Sequence, residues 1–396
     1  MNPPRVLVVG GKAKNLEAAR RAGCDVVHVQ HVAAFTPRHA QACDQALLVD
    51  YTDLRVTLPL VETLHRLAPL AYAVSFTEAG LVPAGALRDA LGLPGPSAAV
   101  SGLLRDKAAM RRALTGHPVL DHPAAVATTD ADVLGFARGR FPVVLKPIDG
   151  AGSRSIQRVE RAGQVGPAVA AMHAAGYPTF LAERFAAGPE YSVEAMSHRG
   201  EHQILAITEK FVGPGHVEVG HVVPGRLSEA AATAVREVVA CFLDAVGVGD
   251  GLSHTEVIVT PVGPVVVESH DRVGGDRISE LVSLATGVHP VESLFRLAAG
   301  TAAWPLRGEP VAPACAIWFL TPEPGLVERV DGVDEARALA GVVEVSVSVA
   351  AGDPIAPVTC SADRSGWVVA TGIDAAEAVE RARRAAARVT FRLSAA

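Results

Sequence analysis

The stretch from His254 to Arg277, HTEVIVTPVGPVVVESHDRVGGDR, concentrates the residue types that do chemistry. Two β-branched runs flank Pro261-Val262-Gly263, which is a hairpin signal. With Thr260 paired to Pro264, Glu256 falls opposite Glu268, Ile258 opposite Val266 and His254 opposite His270, all on one face. The other face (Thr255, Val257, Val259, Val265, Val267 and Ser269) is mostly apolar and suits a core. Opposed side chains in a ladder sit about 5 Å apart, so the two carboxylates repel unless something positive lies between them. A divalent cation is the natural occupant, and two solvated glutamates on an exposed face are the plainer alternative. Just beyond, Asp271-Arg272-Val273-Gly274-Gly275-Asp276-Arg277 has an anion-binding composition. Arg offers a planar fork, and paired Gly lets backbone N–H groups approach a ligand. Metal plus anion points to a nucleotide phosphate chain.

A second candidate is Lys146, delivered at the end of the strand Phe141 to Leu145 and followed by the small-residue loop Pro147 to Ser155, with Gly152 and Ser153. Lysine and backbone amides in such a loop can hold phosphate oxygens, and a flexible turn is an equally good reading of that loop alone. Gly10-Gly11-Lys12 lacks the G-x-G-x-x-G spacing and reads as a plain βα turn. Glu78 follows a strand end, where ligands bind in open sheets, and equally suits the first turn of a helix. Glu218-x-x-His221 lies in a segment too Gly-rich for a helical zinc motif.

These residues need a scaffold of α+β and α/β type. Strands at Arg5–Val9, Asp25–Val29, Ala46–Val49 and Ala71–Ser75 alternate with helices and imply a parallel sheet. Ser97 caps a helix running to about Leu114, with Lys107 in its middle, where a lysine is normally solvated. Further strands are expected at 178–184, 191–195 and 203–208, and helices at 228–246, 278–286 and 290–299. Residues 306–313 read as a linker, and the last Arg-rich helix as a solvated face.

Composition narrows the class. A chain of 396 residues implies two or three globular units, and 49% apolar with 20% charged residues excludes a disordered chain. A net charge of −6 with no long basic tract argues against nucleic acid. Five scattered cysteines, none in C-x-x-C spacing, favour reduced thiols and a cytoplasmic protein. The sequence suggests neither a signal peptide nor a membrane span.

In chain order, Asp106-Lys107, Lys146 with its Gly/Ser loop, Glu183-x-Phe185, Gly188-x-Glu190-Tyr-Ser, and Glu256 and Glu268 with Arg272-x-Gly274-Gly275 resemble the ATP-grasp carboxylate–amine ligases. The resemblance covers nearly the whole chain. Glu218-x-x-His221-x-x-Pro224 and the short C-terminal lobe most resemble the L-amino acid ligases of the bacilysin-synthase type. It implies an ATP-grasp fold: an N-terminal Rossmann-like domain at 1–100, an ATP-grasp core at 101–300 with a lid at about 124–188, and a C-terminal subdomain at 301–396. By the same resemblance, Lys107 and Lys146, with Gly152 and Ser153, would contact the phosphates of ATP. Glu183 and Phe185 would line the adenine pocket, and Glu190 would hold the ribose. Glu256 and Glu268 would hold Mg2+, with Mn2+ as its alternative, and His270 stands where a metal-binding Asn is usual. Arg272 and the Gly274 amide would stabilise an oxyanion, with Glu218 and His221 near the amino groups. The implied reaction joins a carboxylate to an amine, both small molecules such as amino acids, through an acyl phosphate; a homodimer is the default assembly.

Three other readings share these residues. One is another ATP-grasp reaction, such as carboxylation or a nucleotide-pathway ligation. Another is a metal-dependent hydrolase using His254, Glu256, Glu268 and His270 as ligands. The third is a nucleotide-binding protein without catalysis.

Overall fold

The protein is described by a computed structural model over residues 3–149, 155–213 and 217–394. Strands β1 (Arg5–Val9), β2 (Asp25–Gln30), β3 (Gln45–Leu48) and β4 (Tyr72–Ser75) form a parallel sheet in the order β3-β2-β1-β4. This is the expected Rossmann-like unit, with β1, β2 and β4 buried on both faces and β3 an exposed edge strand; four helices belong to this unit. They are α1 (Ala13–Arg21), α2 (Pro37–Ala42), α3 (Leu54–Leu67) and α4 (Glu78–Leu91). Glu78 begins α4, which settles its position in a helical first turn.

The helix expected from Ser97 to Leu114 is two helices, α5 (Ala98–Arg105) and α6 (Lys107–Ala113). Asp106, with extended backbone, ends the first and caps the second by accepting from Ala109 N–H at 2.8 Å. Lys107 is therefore the first residue of a helix and buried, not solvated in the middle of one.

The lid sheet holds β5 (Ala124–Ala127), β6 (Val143–Lys146), β7 (Gln157–Val159) and β8 (Phe180–Arg184), in the order β5-β8-β6-β7. Helices α7 (Asp130–Ala137) and α8 (Val165–Ala174) cover it through its own core of Val133, Leu145, Met172 and Phe180.

The central sheet begins with β9 (Glu190–His198), β10 (Glu201–Val212), β11 (Glu218–Val223), β12 (Gly251–Thr260) and β13 (Gly263–His270). Helix α9 (Glu229–Val246) packs on it through Val235, Val239 and Phe242. After α10 (Ile278–Thr286) and α11 (Pro290–Ala298), the chain re-enters this sheet with β14 (Ala314–Phe319). The C-terminal part adds β15 (Gly325–Asp331), α12 (Val333–Arg337), β16 (Val342–Val347), β17 (Pro354–Ile355), β18 (Gly366–Gly372), α13 (Ala375–Ala386) and β19 (Thr390–Ser394). The eight strands run β13-β12-β9-β10-β11-β14-β18-β16, so one sheet continues across residue 300. Strands β17, β15 and β19 form a separate small sheet.

The hairpin reaches the expected pairing by another route. Thr260 pairs with Gly263, and a bulge after Glu256 shifts the register back, so that Glu256 faces Glu268 and His254 faces His270. Beyond the bulge Val257 pairs with Val266, and Ile258 with Val265 rather than with Val266. The extra residue turns Val266 into the core beside Val257, where the unbulged register had placed it on the polar face.

Candidate active site

The polar end of the hairpin is built as alternating charge. Lys107 Nζ lies 2.7 Å from Glu268, and Lys210 Nζ lies 2.7 Å from Glu256. Lys210, from β10, also hydrogen-bonds Glu190 and sits 3.5 Å from Glu218. Burial disfavours the Glu268 carboxylate and Glu256 repels it, but His270 and Lys107 pull its pKa down to about 2. Burial likewise opposes Glu256, whose pKa is held well below the usual range by Lys210 and His254. Glu190 is raised by burial and by neighbouring carboxylates, against the pull of Lys210. The structure therefore brings together five residues that the sequence singled out, Lys107, Glu190, Glu218, Glu256 and Glu268, and ties three of the acids to one lysine that it did not.

A second buried cluster joins the lid to the core. Glu183, on β8, accepts from Arg111 Nε of α6 at 2.6 Å and pairs with Lys146 Nζ of β6 at 2.6 Å. Burial opposes its charge, yet Lys146 and Arg111 bring its pKa down to about 2. Burial lowers that of Lys146, against the attraction of Glu183. The Lys107 N–H also donates to the Ile148 carbonyl at 3.0 Å, tying α6 to the segment after β6. Phe185 is half-buried, with the Arg158 guanidinium 4.0 Å from its ring centre. Gly152 and Ser153 lie outside the described residues.

The segment after β13 is pinned from several sides. Arg272 Nε donates to Glu78 Oε1 at 2.6 Å, so its partner is neither Asp271 nor Asp276. Asp271 instead accepts from Ser101 Oγ at 2.7 Å, with Arg88 at 3.7 Å. Burial opposes the charge of Glu78, but His270 and Arg272 draw its pKa down to about 2. His270 Nδ1 lies 3.2 Å from Glu78, and its Nε2 is bonded to Glu268 at 3.3 Å. Against burial, these two acids raise its pKa. The arrangement holds His270 between two acids, Glu78 and Glu268.

Gly274 sits where a Cβ would come within 2.8 Å of His254 Nδ1. Its N–H donates to Glu194 Oε2 at 3.2 Å, and Glu194 Oε1 is 2.6 Å from the same His254 nitrogen. The amide expected to stabilise an oxyanion is therefore engaged. The Gly275 N–H has no acceptor among the described residues, and Gly275 is exposed on the cleft. Asp276 and Arg277 follow with φ of +49° and +62°, conformations uncommon for residues with a Cβ. Asp276 is held by Arg364 Nη1 at 2.8 Å and His221 Nε2 at 3.0 Å. Arg364 also donates to the Glu218 carbonyl at 3.2 Å, and Ser361 Oγ to the Glu218 side chain at 3.2 Å. The C-terminal part thereby completes the surroundings of Glu218 and His221.

Glu78, Arg272, the segment Gly274 to Arg277, Ser361 and Arg364 line a cleft of about 990 Å³ between the N-terminal domain, the segment 272–280 and the C-terminal strands. Among the described residues no set of three His, Cys, Asp or Glu is arranged to hold a metal ion, and no helix is long and apolar enough to cross a membrane. The sequence reading missed Lys210, Arg111, Glu194 and Arg364. Only Lys210 carried a local signal: it lies on a long strand, two registers from the turn, where an unpaired ammonium would be costly to bury.

A lid sheet over a central sheet, with lysines facing two opposed glutamates, defines the ATP-grasp class. Family models agree: the ATP-grasp N-terminal domain matches residues 16–95, the ATP-grasp domain 139–280, and the L-amino acid ligase C-terminal domain 2 residues 318–394. The chain is an L-amino acid ligase-like ATP-grasp protein, an ATP-dependent carbon–nitrogen ligase of the carboxylate–amine family. Its relatives include the uncharacterized protein y4rH of Sinorhizobium fredii, 29% identical over 87% of this chain and 73% of that protein. The L-arginine-specific L-amino acid ligase of Bacillus subtilis is 22% identical over 81% of this chain and 80% of its own. Among solved structures, the L-amino acid ligase from Bacillus licheniformis superposes with a TM-score of 0.83 at 21% identity, all of both chains being covered. Phosphoribosylglycinamide synthetase from Anaerococcus prevotii gives 0.77 at 17%, over 99% of this chain and 100% of its own, so the fold is shared with other ligases.

Proposed function

We propose that the protein uses ATP to join the carboxylate of one amino acid to the amine of a second small molecule, forming an amide and releasing ADP and phosphate. The observation that carries this reading is the link between two sites: Glu268 of the lysine–glutamate array contacts His270, His270 lies 3.2 Å from Glu78, and Glu78 with its partner Arg272 lines the 990 Å³ cleft. A carboxylate is too poor an electrophile for an amine, so its oxygen first attacks the γ-phosphorus and ADP leaves. The amine nitrogen then attacks the acyl carbon of the resulting acyl phosphate, and phosphate departs as the nitrogen gives up its proton.

The residues fit a divalent cation. Glu256 and Glu268 face each other across the ladder, are both ionised and repel one another, and offer only oxygen, the donor suited to Mg2+ or Mn2+. Once bound there, such an ion would neutralise phosphate charge. Lys107 and Lys210, which balance the two acids, would then turn to phosphate oxygens, as would Lys146 beside Glu183. Arg272, oriented by Glu78, and the unengaged Gly275 N–H would stabilise the oxyanion in the second step, in place of the Gly274 amide. Glu218 and His221, fixed by Ser361, Arg364 and Asp276, would face the amino groups. Burial of the array keeps water from the acyl phosphate. The hydrolase reading has less support, because among the described residues no three His, Cys, Asp or Glu side chains are arranged to hold a metal ion.

The test is phosphate release with ATP and MgCl2 over a matrix of amino acid pairs, with mass spectrometry of the products. Amide product equal to the phosphate released supports the reading. ADP formation that requires bicarbonate, and yields no amide, would replace it with carboxylation.

A further inference from the structure

The cleft is lined with cations, and nearly all are committed. Lys14 pairs with Glu280 at 3.0 Å, Arg21 with Glu292 at 3.0 Å, and Arg277 with Glu344 at 2.7 Å. Arg272 is held by Glu78 and Arg364 by Asp276. Among the described residues lining the cleft, Lys12 is the cation with no acidic partner. It occupies the N-cap of α1, in extended conformation, and no side chain caps that helix. The first N–H groups of a helix lack intrahelical acceptors, and a cation there works against the helix dipole. An anion satisfies both.

A second observation points the same way. Asn15, in the first turn of α1, is only 7% exposed and lines the cleft, yet its side-chain amide has no hydrogen-bond partner among the described residues. Facing the cleft without a protein partner, that amide is available to hydrogen-bond a ligand there. The preceding turn is fixed in place: the Gly11 carbonyl accepts from Gln30 Nε2 and meets His39 Nε2, both at 3.1 Å, which directs the carbonyl away from the helix end. A Cβ on Gly11 would lie 3.9 Å from Thr77, the residue before Glu78. The end of α1 therefore adjoins the wall that orients Arg272.

We propose that the N-terminal end of α1, with Lys12 and Asn15, is a subsite for the unreacted carboxylate of the amine substrate. This rests on the ligase reading above, in which the second amino acid reacts through nitrogen and brings a carboxylate that forms no bond. That anion needs a cation not already neutralised, and Lys12 supplies it.

The test compares the preferred acceptor amino acid, found in the pair screen, with its primary amide and its phosphonate analogue. For the wild type, KM for the acid should be lower than for the amide by about tenfold or more, the scale of one charge-assisted hydrogen bond. In Lys12→Ala, an exposed position, and in Asn15→Asp, which keeps shape but adds a repelling charge, that ratio should collapse toward one, the change falling on KM rather than kcat. Melting temperatures of both variants report folding. A wild type that takes acid and amide equally, variants that keep the ratio, or a preference for the phosphonate over the carboxylate would each overturn the assignment alone. No ligation by the wild type with any pair would overturn the ligase reading itself.

Discussion

Lys210→Met removes one ammonium from among three carboxylates while keeping most of the side-chain volume. The lysine side chain is 3% exposed, with Glu256 at 2.7 Å, Glu218 at 3.5 Å and Glu190 in direct contact. Burial works against its charge, yet these three acids hold its pKa well above that of an ordinary lysine. Without it, Glu256 retains His254 at 3.6 Å, and Glu190 and Glu218 lose the cation they share. Removing one partner of a buried ion pair costs about 3–5 kcal/mol. Glu190, whose side chain is 29% exposed and whose pKa is already raised, can relieve part of this by taking a proton. The loss should therefore fall at the lower end, about 3 kcal/mol. Urea denaturation at neutral pH measures it. The same titration in millimolar MgCl2 should restore much of the loss in the variant and do little for the wild type, because binding to the folded state alone stabilises by mass action and only the variant presents uncompensated acids. A loss below about 1 kcal/mol, too small for a buried pair, or equal rescue of both proteins, would refute the reasoning.

Three further outcomes follow from other contacts. Arg272→Lys keeps the charge but loses the fork, and turnover should fall by about 10²-fold with ATP affinity little changed; near-normal steady-state rates would retire its role at the oxyanion. Glu183→Gln leaves Arg111 and Lys146 as neighbouring buried cations, so thermal denaturation should show a loss of about 3 kcal/mol and calorimetry weaker binding of a non-hydrolysable ATP analogue. Unchanged stability and affinity together would deny that this cluster holds the lid. His254 is buried, which disfavours its charge, but Glu194 and Glu256 raise its pKa to about 9. A pKa raised above the unfolded value gives stability that is complete below about pH 6.5 and is lost as pH climbs through about 9. Wild-type melting temperature should fall across that window, and the fall should be shallower in His254→Gln; parallel profiles would remove His254 from the account.

Much of this architecture was legible because it is written in local patterns. Apolar runs of four to five residues marked the strands of the N-terminal sheet, and amphipathic periodicity marked α9. The facing of Glu256 and Glu268 was legible too, although through a wrong loop: a two-residue turn and a bulge cancel, and no pattern in the β-branched run marks where an extra residue is absorbed. The break at Asp106 was hidden because an acid that caps one helix reads equally well inside another. What a sequence cannot display is pairing at long range. Read alone, Glu256 and Glu268 look like a repelling pair awaiting a metal, whereas each already faces a lysine from 46 and 161 positions away in the chain. Arg364 reaches Asp276 across 88 positions, and no local rule selects that arginine over its neighbours.

The central sheet also has an order of completion. The inner strand β11 ends at Val223, but its second neighbour, β14, does not begin until Ala314, and the strand outside that one ends only at Gly372. While the chain is being synthesised, the hairpin of β12 and β13 and β11 therefore emerge well before the strands that close the sheet beside them. Until then β11 presents an open row of N–H and C=O groups, the kind of edge that recruits foreign strands. The lid, whose four strands all lie between residues 124 and 184, has no such wait. Truncation after α11 should thus yield a chain with an intact lid and an aggregation-prone core, which makes the C-terminal strands as much a guard on assembly as a wall of the cleft.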